Sequence, residues 1–171
     1  MIVIMAGLPG TGKTTLARAL ALRTAGVVLN KDEIRAALFP PAEIEYSTAQ
    51  DNFCMRVLLD VAAYLLQNNP SRTVLIDGRP FSKAQQLEQV VKTAEQLGQN
   101  WRILECTCGA ETARTRLEEQ TSTHPAANRD YRLYLKMKSE WQEVHLPKVV
   151  IDTDHPLTEC VEKAANAMRA I

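Results

Sequence analysis

The chain has 171 residues, 46% of them hydrophobic and 23% charged, a composition that suits one domain with a real core and excludes a disordered or low-complexity chain. Lysine plus arginine and aspartate plus glutamate are equal at 20 each, so the formal net charge is zero, which argues against a long polynucleotide as the favoured partner and leaves room only for a local basic patch. The start has no charged leader and no apolar stretch reaches the ~20 residues of a membrane span, so the expectation is a cytoplasmic protein with no membrane contact.

Residues 2–5, Ile-Val-Ile-Met, read as a buried strand. Gly7-Leu8-Pro9-Gly10-Thr11-Gly12-Lys13-Thr14 follows and fits G-x-x-x-x-G-K-[ST] at every fixed position, and residues 14–22 read as the helix it opens. A strand, loop and helix in that order turn the pattern into a phosphate-binding loop. Glycines let several backbone N–H groups converge on the phosphates, and the helix N-terminus adds partial positive charge. Gly10, Thr11, Gly12, Lys13, Thr14 and Thr15 are the expected nucleotide contacts. Lys13 would reach the β- and γ-phosphates, and Thr14 would offer its hydroxyl to Mg²⁺.

A second strand is expected over 26–29 and a short helix over 30–38, capped by Asn30 or Asp32 and stopped by Phe39-Pro40-Pro41. After a loop at 39–47, a long helix runs from about 47 to 69. A third strand at 73–76 delivers Asp77-Gly78-Arg79-Pro80. Ser82 and Gln85 read as a capping box, with Leu87, Val90, Val91, Ala94 and Leu97 at helical spacing behind them and Gly98 as the stop. Residues 101–106 read as the fourth strand and 110–120 as a helix. A polar break at 121–128 precedes a helical stripe of Tyr134, Met137, Trp141 and Val144. Residues 149–151 are the fifth strand, and Leu157, Cys160, Val161, Ala164, Ala165 and Met168 stripe the last helix. Cys54, Cys106, Cys108 and Cys160 lack zinc-site spacing and read as free thiols of a reducing compartment.

Alternating strands and helices predict an α/β fold with a parallel sheet, in a single domain spanning 1–171. Ligands of such sheets sit beyond the carboxyl ends of the strands, so the phosphate loop, Asp32, Asp77 and the segment after Cys106 belong on one rim.

Three chemistries compete for the loop. A GTP switch would need N-K-x-D, and Asn30-Lys31-Asp32-Glu33 ends on glutamate and comes too early in the chain. A motor-type ATPase would place a water-orienting glutamate after the strand-end Asp77, where Gly78 stands. A small kinase needs a cradle, a Mg²⁺ site, a group beside the acceptor hydroxyl and arginines over the transferring phosphoryl. Asp32 fits the acceptor role unless it only caps its helix. Arg35, one turn on, would bind acceptor or γ-phosphate unless it is a solvated charge. Asp77 would hold Mg²⁺ directly or through water, with Thr14 as the second ligand, or it makes a turn with Gly78. Arg79 stays open between substrate contact and plain loop charge. Arginines and lysines from Arg114 onward, including Arg116, Arg129 and Arg132, flank the polar break and suggest a lid at about 110–135, while His124 reads as a loop residue. Glu43, Glu45, Tyr46, Gln50 and Asn52, placed next to Asp32, suit a hydroxyl-rich or cationic small-molecule acceptor better than a polyanion.

Over nearly its whole length the chain resembles the small P-loop kinases related to polynucleotide 5′-hydroxyl kinase domains, zeta-toxin kinases and chloramphenicol phosphotransferase, often labelled AAA-type ATP-binding proteins. The resemblance rests on residues 7–15, Asn30-Lys31-Asp32-Glu33-Ile34-Arg35, Leu75-Ile76-Asp77-Gly78, Ala113-Arg114-Thr115-Arg116-Leu117 and Val149-Val150-Ile151-Asp152-Thr153. It implies a P-loop NTPase three-layer sandwich with strand order 2-3-1-4-5 and an arginine-bearing helical lid. It also implies ATP and Mg²⁺ as cofactors, Asp32 as the group that activates the acceptor hydroxyl, and Arg116 as a lid arginine near adenine or phosphates. The family often carries another arginine where Gln120 stands, a charge that Arg129 or Arg132 would have to supply. The expected function is an ATP-dependent phosphotransferase acting on a hydroxyl of a small molecule. An acceptor-less ATPase or nucleotide-binding regulatory module, and a nucleoside monophosphate or 5′-hydroxyl nucleic-acid kinase, stand behind it.

Overall fold

Ile2–Ala6 forms β1, and all five of its residues are buried. A strand covered on both faces carries no polar alternation, which is why this segment is an unbroken apolar run. The structure, a computed structural model, describes residues 1–119 and 130–169. Its other strands are β2 Val27–Asn30, β3 Val74–Asp77, β4 Trp101–Thr107 and β5 Lys148–Asp152. All pair in parallel in one sheet of order β2-β3-β1-β4-β5. The described helices are α1 Lys13–Thr24, α2 Lys31–Leu38, α3 Thr48–Asn68, α4 Ala84–Gln96, α5 Ala110–Glu119, α6 Tyr131–Ser139 and α7 Leu157–Arg169, with a 3₁₀ turn at Pro41–Glu43. This is the α/β P-loop architecture and strand order that the resemblance implies. Among the described residues no helix is long and apolar enough to cross a membrane.

The two-residue period of β1 divides the core. Ile2, Ile4 and Ala6 face a cluster with Met55, Leu58 and Leu66 of α3 and Leu87 and Val90 of α4. Val3 and Met5 face Leu16 and Leu20 of α1 and Cys160 and Ala164 of α7 on the other side. Each large aliphatic side chain buried this way stabilises the fold by about 1.5–3 kcal/mol, whereas an exposed ion pair contributes about 0–1. The sheet is therefore held by its two apolar layers, and its polar carboxyl-end rim is available for chemistry.

Two expectations at element boundaries are corrected. Ser82 and Gln85 do not form a capping box: α4 begins at Ala84 with Lys83 as a cap residue that makes no side-chain cap bond. Gln142 does that work from a distance, accepting from Ala84 N through Oε1 at 3.3 Å and donating its own N–H to Ser82 O at 3.0 Å. The helix expected to run through Trp141 and Val144 ends at Ser139, and both residues pack from non-helical chain into the α3/α4 side of the core. Their 3–4 spacing matches a helix, but the segment has to leave the helix for Gln142 to reach α4. The polar break at 121–128, with His124 and the neighbouring Gln120 and Arg129, lies outside the described residues. The flanking helices meet through Ala113, Leu117 and Tyr134, which pack against Leu8 of the phosphate loop.

Candidate active site

The loop after β1 reaches α1 through Gly12, which holds φ +76 as the residue before the helix, a left-handed conformation that glycine adopts without a Cβ penalty. Leu8 O anchors the loop from within, accepting from Lys13 Nζ and Thr11 Oγ1, each at 2.7 Å. Thr14 turns the other way and donates its hydroxyl to Asp77 Oδ2 at 2.7 Å.

Asp77, at the end of β3, is fully buried. Its register partner on β2 is Asn30, whose Nδ2 donates to the same Oδ2 at 2.8 Å. The other oxygen, Oδ1, is buried with no hydrogen-bond partner among the described residues. An unsatisfied buried acceptor costs about 1–3 kcal/mol, more when charged, so this atom fits a cation or a cation's bound water. Asn30 also settles the capping question. Its Oδ1 accepts from Asp32 N at 2.8 Å and Glu33 N at 3.3 Å, so Asn30 caps α2 and the Asp32 side chain is not needed there. Gly78, at φ +86, lies against this cap: a Cβ on it would fall 2.7 Å from both Asn30 Oδ1 and Lys31 N. No side chain, the water-orienting glutamate of a motor ATPase included, can follow Asp77 without moving α2.

On α2, Asp32 Oδ1 accepts from Arg35 Nη1 at 2.8 Å and lies 3.2 Å from Lys31 Nζ. Asp51, in the first turn of α3, takes Lys31 Nζ at 2.8 Å and also pairs with Arg35 Nη2. Arg35 is only 2% exposed, lies between the two carboxylates and sits 5.3 Å from the centre of the Tyr46 ring. Among the described residues Asp32 Oδ2 makes no hydrogen bond. A cavity of about 690 Å³ opens over these groups, lined by Lys13 and Thr14, by Asp32, Arg35 and Asp77, and by residues of α3, α4 and α6.

An AAA domain family model matches residues 2–144. The chain belongs to the AAA domain family. Among solved structures this AAA domain is similar to the Mycobacterium tuberculosis APS kinase CysC in complex with AMPPNP and APS, at 18% identity over 99% of this chain and 97% of that one, TM-score 0.72. It is also similar to a gluconokinase from Sinorhizobium meliloti 1021, at 17% identity over 98% and 91%, TM-score 0.66. A third similar structure is Chaetomium thermophilum Kti12 in complex with ADP-AlF3, at 15% identity over 98% of each chain, TM-score 0.68. At these identities the likeness is one of fold, and it identifies the AAA domain as having the P-loop kinase architecture. No curated protein matches the sequence.

Of the residues singled out in the sequence, the AAA domain brings Lys13, Thr14, Asp32, Arg35 and Asp77 to one cavity. Gly10, Thr11 and Gly12 belong to the loop without lining it, and Thr15 is exposed on α1. Arg116 also stands apart. Its guanidinium donates to Thr153 Oγ1 at 2.9 Å and Thr153 O at 2.8 Å, and that hydroxyl lies 3.1 Å from Thr11 O. Arg116 is thus tied to the back of the phosphate loop through the exit of β5. Arg114 pairs with Glu118, and Arg132 is exposed on α6. From this part of the chain it is instead Leu133, Lys136 and Met137 of α6, with its C-cap residue Glu140, that line the cavity.

The acidic acceptor wall is corrected as well. Glu43 and Glu45 are exposed and do not line the cavity, because the 3₁₀ turn is pinned through its backbone: Gln50 Nε2 donates to Glu43 O at 2.9 Å, and Glu45 N to Gln50 Oε1 at 2.8 Å. Asp51 joins the site without a signal in the sequence. An acidic residue four positions after a Ser cap reads as a favourable helix-dipole charge, and only its partners on α2 mark it as part of the site.

Behind the loop, burial pushes the Cys106 thiol up to about 12, with nearby Lys13 pulling it only part of the way back. An unfolded thiol ionises near 9. Between those values the unfolded chain releases a proton that the folded one keeps, so this contribution to stability is complete below about pH 9 and is lost as pH rises toward 12. Urea unfolding at pH 8 and pH 10.5 is expected to show a smaller loss for Cys106→Ala than for the wild type, and equal losses would contradict the burial argument.

Proposed function

We propose that this AAA domain is an ATP-dependent phosphotransferase that moves the γ-phosphoryl group of Mg-ATP to a hydroxyl of a small molecule. The observation that carries the reading is that Asp32, its side chain not used for the α2 cap, lines the same cavity as Asp77 and as Lys13 and Thr14 of the phosphate loop. That pairs a donor-phosphate cradle with a carboxylate suited to a hydroxyl.

In this reading the acceptor O–H donates to Asp32 Oδ2 while Arg35 and Lys31 hold the carboxylate through Oδ1. The acceptor oxygen bonds to the γ-phosphorus in line as the bond from that phosphorus to the β–γ bridging oxygen breaks. ADP leaves, and the hydroxyl proton passes to Asp32 and then to solvent. Lys13 balances charge on the β- and γ-oxygens. Thr14 and the unsatisfied Oδ1 of Asp77 would hold Mg²⁺, directly or through water, and the ion when bound supplies neutralisation of the phosphate oxygens. Arg116, linked through Thr153 to Thr11, would act on the nucleotide side of the loop.

The printed names of two similar structures, an APS kinase with bound AMPPNP and APS and a gluconokinase, lend support to a small-molecule acceptor. Gly78 weighs against an acceptor-less ATPase, since the place of a water-orienting side chain is filled by the α2 cap. The test is incubation with γ-labelled ATP and a panel of hydroxyl compounds. Label is expected in an organic product. Fast phosphate release that no hydroxyl compound diverts would overturn the transferase reading.

A further inference from the structure

The cavity holds more positive charge than its own carboxylates match. Asp77 is held through Oδ2 by the neutral Thr14 and Asn30, with its charge left for the cation of the phosphate loop, and Asp32 and Asp51 are paired with Lys31 and Arg35. Beyond these, Arg56, Arg79, Lys83 and Lys136 line the same cavity, and none of the four forms an ion pair among the described residues. Among the described residues Glu140 is the remaining carboxylate in the lining.

Arg56, Lys83 and Lys136 are exposed and can be satisfied by water. Arg79 cannot. It is 5% exposed, its Nη2 donates to the neutral amide of Asn52 at 2.9 Å, and its Nε is buried with no partner among the described residues. Burial lowers its proton affinity, and the charge of Asp51 offsets this only in part. A guanidinium in such a place, with a donor left over, is costly unless an anion completes it. The flanking chain is also held in position. Pro80 O accepts from Gly7 N at 3.0 Å, and Phe81 is fully buried at φ +56, a conformation rare for a bulky residue and retained only where the surroundings impose it. Arg79 follows β3, which lies between β2 and β1, so it stands on the Asp32 side of the phosphate loop and across β1 from the Arg116–Thr153 contact.

We infer that Arg79 anchors an oxyanion subsite for the acceptor, so that the molecule phosphorylated carries a phosphate, sulfate or carboxylate group in addition to its hydroxyl. This rests on the transferase reading above for the word acceptor, while the subsite itself rests on the cavity. It reverses the charge expected from Glu43 and Glu45.

The experiment fills the phosphate loop first, with saturating Mg²⁺ and the non-hydrolysable analogue AMPPNP. Calorimetric titrations then follow with inorganic phosphate, sulfate and acetate at constant ionic strength. Wild-type protein is expected to bind at least one of these anions, with the tetrahedral pair and acetate separating a phosphate or sulfate ester from a carboxylate. Arg79→Gln, which keeps a donor for Asn52, is expected to weaken that binding at least about 10-fold and to change AMPPNP affinity less than about 2-fold. Arg79→Lys is expected to recover part of the anion binding, a result that a folding defect would not produce. Absence of anion binding in the wild type, unchanged binding in Arg79→Gln, or an equal loss for AMPPNP would each overturn the subsite. A second arm offers γ-labelled ATP with matched neutral and anionic alcohols. Transfer to the neutral members alone would sink the inference and leave the transferase standing. Anion binding through Arg79 without transfer to any alcohol would sink the transferase and leave the subsite standing.

Discussion

Asp32→Asn is expected to lower kcat for phosphoryl transfer by about 10²–10⁴-fold while ATP affinity stays within about 2-fold. The substitution keeps the side chain's shape and leaves an oxygen able to accept from Arg35 Nη1, which now donates to Asp32 Oδ1 at 2.8 Å. It removes the charge and the proton-accepting oxygen that the proposed transfer to a hydroxyl would require. The α2 cap is not involved, because Asn30 makes it. Nucleotide affinity is spared for a similar reason: Lys13 is anchored to Leu8 O and Thr14 to Asp77, contacts that Asp32→Asn leaves in place. Rapid-quench measurement of transfer, with ATP binding by titration, separates the two quantities. Transfer that survives at the wild-type rate would remove Asp32 from the chemistry.

Gly78→Ala is expected to cost about 2–4 kcal/mol of folding stability and most of the transfer activity. One part of the cost is the backbone, since φ +86 strains any residue with a Cβ by about 1–3 kcal/mol. The other part is contact: the new methyl would lie 2.7 Å from Lys31 N and 2.7 Å from Asn30 Oδ1, and backbone cannot rotate away as a flexible side-chain end can. Moving the start of α2 breaks the Asn30 cap, the Asn30–Asp77 bond and the placement of Asp32 together, so stability and kcat are expected to fall in the same variant. Urea midpoints and transfer rates measure both, and an alanine accepted within about 0.5 kcal/mol would mean that α2 is not packed against this turn as described.

The phosphate loop was legible because its chemistry is contiguous. The residues from Gly7 to Thr14 carry the turn, the charge and the hydroxyl within one stretch, so spacing alone specifies them. The strands were legible for the related reason that a run buried on both faces, as at Ile2–Ala6, needs no distant partner to be recognised. The α6 boundary was not. Tyr134, Met137, Trp141 and Val144 keep helical spacing, yet the chain leaves the helix after Ser139 to deliver Gln142 to the start of α4.

Spacing along the chain suffices to mark a phosphate-loop motif within a parallel α/β sheet and to place Asp32 and Asp77 at strand exits on one rim. These follow from local geometry, since each residue's role depends on the strand end that carries it. Only the packed fold assigns the α2 cap to the Asn30 amide and leaves the Asp32 carboxylate to the cavity. It paired Asp51 with Lys31 and Arg35 from another helix, and it turned Glu43 and Glu45 to solvent while burying Arg79 beside an amide. The charge of a cavity is a sum over side chains brought together from separate elements, less those that neutralise one another. Neither the membership nor the pairing is set by spacing along the chain.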